Sequence, residues 1–128
     1  LPILNIPENL KYTEDHEWVL LKDDTVTIGI TDFAQSELGD IIFIEFPEPG
    51  DTFEDGDSFG TVEAVKTVAD LFSPVSGEVI SINEKLEDQP ELINSNPYEE
   101  GWLVKMKITD TTILDNLMNA GSYKDHLS

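Results

Sequence analysis

The residues that could do chemistry converge on one segment, Gly60-Thr61-Val62-Glu63-Ala64-Val65-Lys66-Thr67-Val68-Ala69-Asp70. Lys66 is the only basic residue between Lys22 and Lys85, and it sits between Val65 and Thr67 at the centre of a strand–turn–strand pattern. A lysine there is either an ordinary surface lysine at a hairpin tip or a lysine presented for acylation, since an attached group at a tip can swing while the fold stays rigid. The chain has two histidines, His16 and His126, and no cysteine. Disulfides, thiolate zinc sites and cysteine nucleophiles are therefore excluded. It has no H-E-x-x-H, no G-x-S-x-G, no P-loop and no G-x-G-x-x-G. Carboxylates abound, but nothing assembles a nucleophile, a base and an oxyanion site. A self-sufficient enzyme is not expected.

The elements that must position Lys66 are mostly strands. Trp18–Leu21 and Thr25–Ile30 flank Lys22-Asp23-Asp24 and predict a hairpin. Thr31-Asp32 predicts the cap of a short helix running through Phe33, Ala34 and Leu38 and closed by Gly39. Asp40–Phe46 reads as a strand apolar on both faces and hence buried. Turn residues around Pro49-Gly50-Asp51 and Asp55-Gly56-Asp57 separate it from strands at 58–64, 67–72 and 77–82. A short helix over 90–96 and a strand over 101–108 follow. Thr112-x-x-Asp115 resembles a capping box. It predicts a terminal helix with Ile113, Leu114, Leu117 and Met118 on one face, ended by Gly121. Gly50, Gly56 and Gly77 are expected at turns with unusual backbone angles. Trp18 and Trp102 are expected in the core, His16 as a structural hydrogen-bonding residue and His126 as a solvated tail residue. Gly39-Asp40-Ile41-Ile42-Phe43-Ile44 is echoed by Gly77-Glu78-Val79-Ile80-Ser81-Ile82. The echo predicts two similar β units packed face to face, with the turn between them, around Lys66, projecting at one end.

The chain has 128 residues, with 27 Asp and Glu against 7 Lys, no Arg and a net charge of −20. The length suits one domain. The charge repels phosphate, so nucleic acid and anionic membrane are not expected partners, and a protein with a positive face is. No apolar run reaches the length of a membrane span. Residues 1–9 are short, apolar and without a basic region, and read as a flexible leader or a remnant of processing or cloning. Residues 10–128 read as one mainly β domain.

Val62-Glu63-Ala64-Val65-Lys66 followed by Ser73-Pro74-Val75-Ser76-Gly77-Glu78-Val79 closely resembles the lipoyl-lysine region of the glycine cleavage system H proteins. Lys11-Tyr12-Thr13-x-x-His16-Glu17-Trp18-Val19 resembles the family's opening strand. Gly29-Ile30-Thr31-Asp32-x-Ala34-Gln35 and Leu38-Gly39-Asp40 resemble its helix and next strand. Leu92-Ile93-Asn94-x-x-Pro97-Tyr98-x-x-Gly101-Trp102 resembles its C-terminal half. The resemblance spans about residues 10 to 120. It implies a lipoyl/biotinyl-type β sandwich (a barrel-sandwich hybrid) with short helices and a C-terminal helix, and lipoate in amide linkage on Lys66.

It also implies a non-catalytic carrier. The arm would take an aminomethyl group from a pyridoxal-phosphate glycine decarboxylase, pass it to a tetrahydrofolate-dependent aminomethyltransferase, and be reoxidised by dihydrolipoyl dehydrogenase. Lipoylating enzymes would be further partners, and the chain would be a monomer, cytoplasmic in a bacterium or in the mitochondrial matrix of a eukaryote. By similarity, Glu17 and Asp70 would hold the cationic amine of the loaded arm in a cleft. Position 33 departs from the pattern: Phe33 stands where the family commonly has His, and would offer apolar surface to the dithiolane if it lines that cleft. Three other readings are a lipoyl or biotinyl domain of a larger enzyme such as a 2-oxo acid dehydrogenase, an H-like protein that relays lipoate, and an unmodified β-sandwich interaction module. The first typically shows Asp-Lys-Ala or Met-Lys-Met, where this chain has Val65-Lys66-Thr67.

Overall fold

In the computed structural model, which describes residues 4–127, nine strands form two sheets with four short helices around them. The strands are β1 Lys11–Tyr12, β2 Glu17–Lys22, β3 Thr25–Ile30, β4 Ile41–Glu45, β5 Thr52–Phe53, β6 Ser58–Ala64, β7 Val68–Phe72, β8 Gly77–Ile82 and β9 Val104–Lys107. The helices are α1 Asp32–Leu38, α2 Lys85–Asp88, α3 Leu92–Ser95 and α4 Ala120–Leu127. The larger sheet runs β1-β2-β3-β9-β8-β5 and the smaller β4-β6-β7. All pairings between named strands are antiparallel.

Alternation along the strands makes the core. Val19, Val26 and Ile28 on one sheet, and Ile44, Val62 and Leu71 on the other, lose nearly all contact with solvent in a single cluster. The two echoed segments fall on β4 and β8, in opposite sheets, and Ile41, Ile44 and Val79 meet in that cluster. A second cluster joins Leu10, Tyr12, Trp18, Ala120 and Tyr123, and so fastens α4 to the start of the chain.

The fold departs from the sequence pattern at several places. β4 is not buried on both faces: Ile41 and Ile44 point in, while Ile42 and Phe43 are 52% and 54% exposed. A bulge between Ile41 and Phe43 shifts the register and turns both residues outward. The terminal segment is two elements. Asp110, not Thr112, caps a 3-10 helix Thr111–Asn116, and α4 starts at Ala120, so Gly121 lies inside it. His126 is exposed as expected, but it lies on α4 with its ring 5.9 Å from that of His16. Gly50 and Gly56 do take positive φ, but Gly77 is required by close packing, since a Cβ there would lie 2.6 Å from the Lys107 carbonyl oxygen. Trp18 is fully buried, whereas Trp102 is half-buried with the Lys105 ammonium over its ring. Residues 1–3 of the expected leader lie outside the described residues. Beyond them, the Asn5 N–H donates to Asp32 Oδ2 at 2.9 Å, and Tyr98 donates to the Asn5 carbonyl at 2.6 Å.

Gly29 is a further packing constraint. It pairs with Trp18 across β2 and β3, and a Cβ on it would sit 2.5 Å from the indole ring, whose N–H donates to the Pro97 carbonyl. Gly29→Ala is expected to lower unfolding stability by about 1–3 kcal/mol, as overpacking does, and to shift tryptophan fluorescence. A denaturation midpoint equal to wild type would refute this.

Candidate functional site

Lys66 occupies the turn joining β6 to β7, and the side chains of 65–68 are all exposed. The turn itself is held: Ala64 N–H donates to the Thr67 carbonyl at 2.8 Å, and Val65 N–H to the Asp40 carbonyl at 3.0 Å. Behind it Val62, Ala64 and Leu71 are buried. The lysine thus stands free on a base that cannot move far.

The strands of that same hairpin wall a cavity of about 370 Å³. Val62, Ala69, Asp70 and Leu71 form one side; Glu17, Ile30 and Phe33 belong to the other. Glu17, Asp70 and Phe33, far apart in sequence, therefore share one space. β7 is the edge strand of its sheet, which leaves this flank open for α1 and the start of β2 to complete.

Local chemistry sets the opposite wall. Thr31 N–H donates to the His16 carbonyl, and the Thr31 hydroxyl caps α1 by accepting from Ala34 N–H at 3.2 Å. This places Phe33 beside His16, ring centroids 4.7 Å apart. The far end of α1 is clamped by Asn94, whose amide donates to Gln35 Oε1 and the Gly39 carbonyl and accepts from Ile41 N–H. His16 takes φ +67° in the turn before β2. Its Nδ1 lies 2.8 Å from the Tyr123 hydroxyl, which is also 2.8 Å from Thr31 Oγ1. His16 is a structural hydrogen-bonding residue. Burial first, and then the nearby His126, hold its pKa below the ordinary histidine value. Tyr123, packed on Tyr12 with ring centroids 4.6 Å apart, ties α4 to this turn. Its pKa is pushed up to about 12, mainly by burial, so it stays a neutral hydroxyl. No local signal in the sequence pointed to Tyr123, because its partners His16 and Thr31 lie 107 and 92 residues away.

Glu17 is not surface charge. It is 2% exposed. Desolvation raises its pKa from 4.5 to about 7, opposed by the Thr13 hydroxyl, which donates to Oε1 at 2.7 Å. Phe72 N–H approaches Oε2 at 3.5 Å. Asp70, by contrast, is exposed at the rim. Two carboxylates missed from the sequence, Asp15 and Glu37, also border the cavity. The Asp15 charge adds to the rise in the Glu17 pKa. A cation entering would meet several acid groups and would draw Glu17 to its ionised form. The remaining wall of Ile30, Phe33, Val62 and Leu71 suits an apolar chain.

A two-sheet sandwich that lifts one lysine on a rigid hairpin, with a cavity along that hairpin, defines a carrier module of the lipoyl type. The glycine cleavage H-protein family model matches residues 10–128. The glycine cleavage system H protein of Staphylococcus carnosus is 57% identical over 120 residues, 94% of this chain and 95% of that protein. That of Bacteroides fragilis is 54% identical over 121 residues, 94% and 96% of the two chains. The crystal structure of the H protein from Mycobacterium marinum superposes with a TM-score of 0.88 at 38% identity, covering 95% of this chain and 98% of that one. The chain belongs to the glycine cleavage H-protein family, whose members are non-catalytic, lipoate-bearing carriers.

The raised pKa of Glu17 has a sign in stability. Folded Glu17 holds its proton up to about pH 7, whereas its ordinary value is 4.5. Its contribution to stability is therefore full below 4.5 and is lost as pH rises through 7, a change of about 3 kcal/mol at most. Glu17→Gln keeps a neutral, hydrogen-bonding side chain at every pH. Its unfolding free energy relative to wild type is expected to climb by up to that amount between pH 4.5 and 8 in urea titrations. A pH-independent difference would contradict the burial argument.

Proposed function

We propose that Lys66 carries lipoate in amide linkage and that the cavity beside β7 receives the end of the arm. The chain works as the lipoate carrier of the glycine cleavage system. The observation that carries the site assignment is that one hairpin both presents Lys66 and walls the cavity. An arm rooted at the tip has a groove along its own support. The residues present fit the group: an exposed lysine to bond it, apolar side chains for its chain and ring, and carboxylates for a cationic cargo. Bound lipoate would supply the dithiol chemistry that accepts and releases the aminomethyl group.

The chain's own residues do the rest. The 64–67 turn keeps the root of the arm fixed, so the distal end samples a small volume at high effective concentration. Glu17, aimed by Thr13, and Asp70 hold the amine of the cargo. Phe33 and Ile30 exclude water around it. We assign the successive partners as the pyridoxal-phosphate glycine decarboxylase, the aminomethyltransferase and dihydrolipoyl dehydrogenase, with a lipoylating enzyme before them. Self-repulsion at a net charge of −20 supports a monomer. The relatives named above are bacterial, which supports the bacterial cytoplasm as the compartment. Residues 10–128, the span of the family match, are assigned to one domain.

Incubation with a lipoylating enzyme, lipoate and ATP is expected to add one lipoyl mass, mapped to Lys66. Lys66→Ala should abolish the addition and alter stability by less than about 0.5 kcal/mol, as exposed positions do. Acylation of Lys85 or Lys105 instead, or a large loss of melting temperature, would refute the assignment.

The cavity is tested separately. Glu17→Gln with Asp70→Asn should leave lipoylation intact. The loaded protein should then release formaldehyde and ammonia faster than wild type, by about tenfold for a loss near 1.4 kcal/mol of ground-state stabilisation. Equal release rates would show that these acids do not hold the cargo.

A further inference from the structure

Among the described residues, seven large hydrophobic side chains stand exposed, and four of them adjoin Lys66. These are Ile42 at 52%, Phe43 at 54%, Val65 at 67% and Val68 at 61%. Phe43, Glu63 and Val68 are register partners across β4, β6 and β7, so their side chains form one row on the outer face of the smaller sheet. The bulge in β4 adds Ile42 to that face. The bond from Val65 N–H to the Asp40 carbonyl brings Val65 alongside the start of β4. The four make an apolar platform at the root of Lys66, with Glu63 between Phe43 and Val68. Glu63 lies within it, and Asp40, Glu45 and Asp70 stand exposed around it. The core needs none of this surface, and a grouped apolar face on so acidic a protein points to a partner.

Geometry narrows the partner. Enzymes that act on the distal end of an attached arm meet it an acyl chain away from the protein. The enzyme that attaches the arm must bring its catalytic groups to Lys66 Nζ itself, and so must lie on the residues around it. There the lysine amine displaces AMP from a lipoyl adenylate: the amide bond forms, the mixed anhydride breaks, and the amine gives up a proton.

We propose that the platform of Ile42, Phe43, Val65 and Val68 is the docking surface for the lipoylating enzyme, which would meet it with an apolar patch and a Lys or Arg placed over Glu63. This rests on the reading of Lys66 as the attachment site. The partner's positive rim complements the surrounding carboxylates, and the apolar centre supplies the binding free energy.

The test is steady-state lipoylation of the purified unmodified protein by a lipoate–protein ligase with lipoate and ATP, read by intact mass. Phe43→Ser with Val68→Ser is expected to raise KM for the acceptor protein about tenfold or more and leave kcat within about twofold, as loss of interface anchors does. Glu63→Lys, which removes no packing, should raise KM in the same direction. Leu20→Ser with Leu21→Ser, exposed on β2 of the other sheet, should leave KM unchanged. KM values equal to wild type in both platform variants, or an equal rise in the Leu20/Leu21 control, would overturn the docking surface. Platform variants acylated to completion should be reoxidised by dihydrolipoyl dehydrogenase at the wild-type rate, and a parallel loss there would overturn the assignment to the attaching enzyme. Failure of the wild type itself to be acylated on Lys66 would overturn the carrier reading instead.

Discussion

The hairpin that ends at Lys66 must be anchored and free within a few residues, and the rest of the structure serves that requirement. Val62, Ala64 and Leu71 sink into the space between the sheets, while residues 65–68 stand in solvent. Burial of those side chains, at about 25 cal/mol per Å² of apolar surface removed from water, fixes the strands without touching the tip. Two backbone hydrogen bonds then close the turn, one of them to the carbonyl of Asp40 just before β4. A tip held only by its own hairpin would fray. Here the smaller sheet is continuous through it, so a group on Lys66 moves about a fixed point.

The same arrangement creates an electrostatic problem beside β7. An edge strand leaves one flank of the sandwich open, and α1 with the Thr13–Glu17 turn fills it only in part. The carboxyl of Glu17 ends up in that space with one strong donor, the Thr13 hydroxyl. Desolvation outweighs that donor, and the pKa climbs to about 7. Buried acid with few donors is costly in its ionised form, so the position makes sense where a cation is to arrive and complete the pairing. The polar links on the outer side, from His16 to Tyr123 to Thr31, are fully partnered and hold the wall still. The one buried group that is costly to ionise, Glu17, thus faces the cavity.

How much of this could be read beforehand follows from what is local. The β2–β3 hairpin, the Thr31 cap and the β6–β7 hairpin depend on neighbouring residues, and their sequence signals matched the structure to within a residue or two. β4 departs from its pattern because a bulge has no composition of its own: four consecutive apolar residues look buried unless the register shift is known. The terminal segment was misread because Thr112-x-x-Asp115 imitates a capping box, while the Asp110 side chain accepts from Thr112 N–H and tightens the turn to a 3-10 helix. Gly77 looks like a turn glycine chosen for backbone freedom, but its reason is a carbonyl 2.6 Å from the missing Cβ, a contact made across the sheet. Only the family resemblance singles out Glu17, Phe33 and Asp70, and the fold brings them to one cavity. Asp15 and Glu37 were missed because nothing in a chain with 27 acids marks two of them.

That abundance of acid also decides what can distinguish one face of the molecule from another. Net charge alone attracts any positive protein to any side, and such attraction is screened within about 10 Å at 0.1 M salt. It speeds encounters without choosing an orientation. Selection has to come from short-range features that differ between faces. The Lys66 end has three that coincide: the one lysine between Lys22 and Lys85, a cavity with a buried acid, and four exposed apolar side chains on the smaller sheet and its turn. On the larger sheet, exposed Leu20 and Leu21 have neither a cavity of that character nor a lysine on a projecting turn. Charge brings a partner to the molecule, and the apolar row beside Lys66 turns it to the productive side.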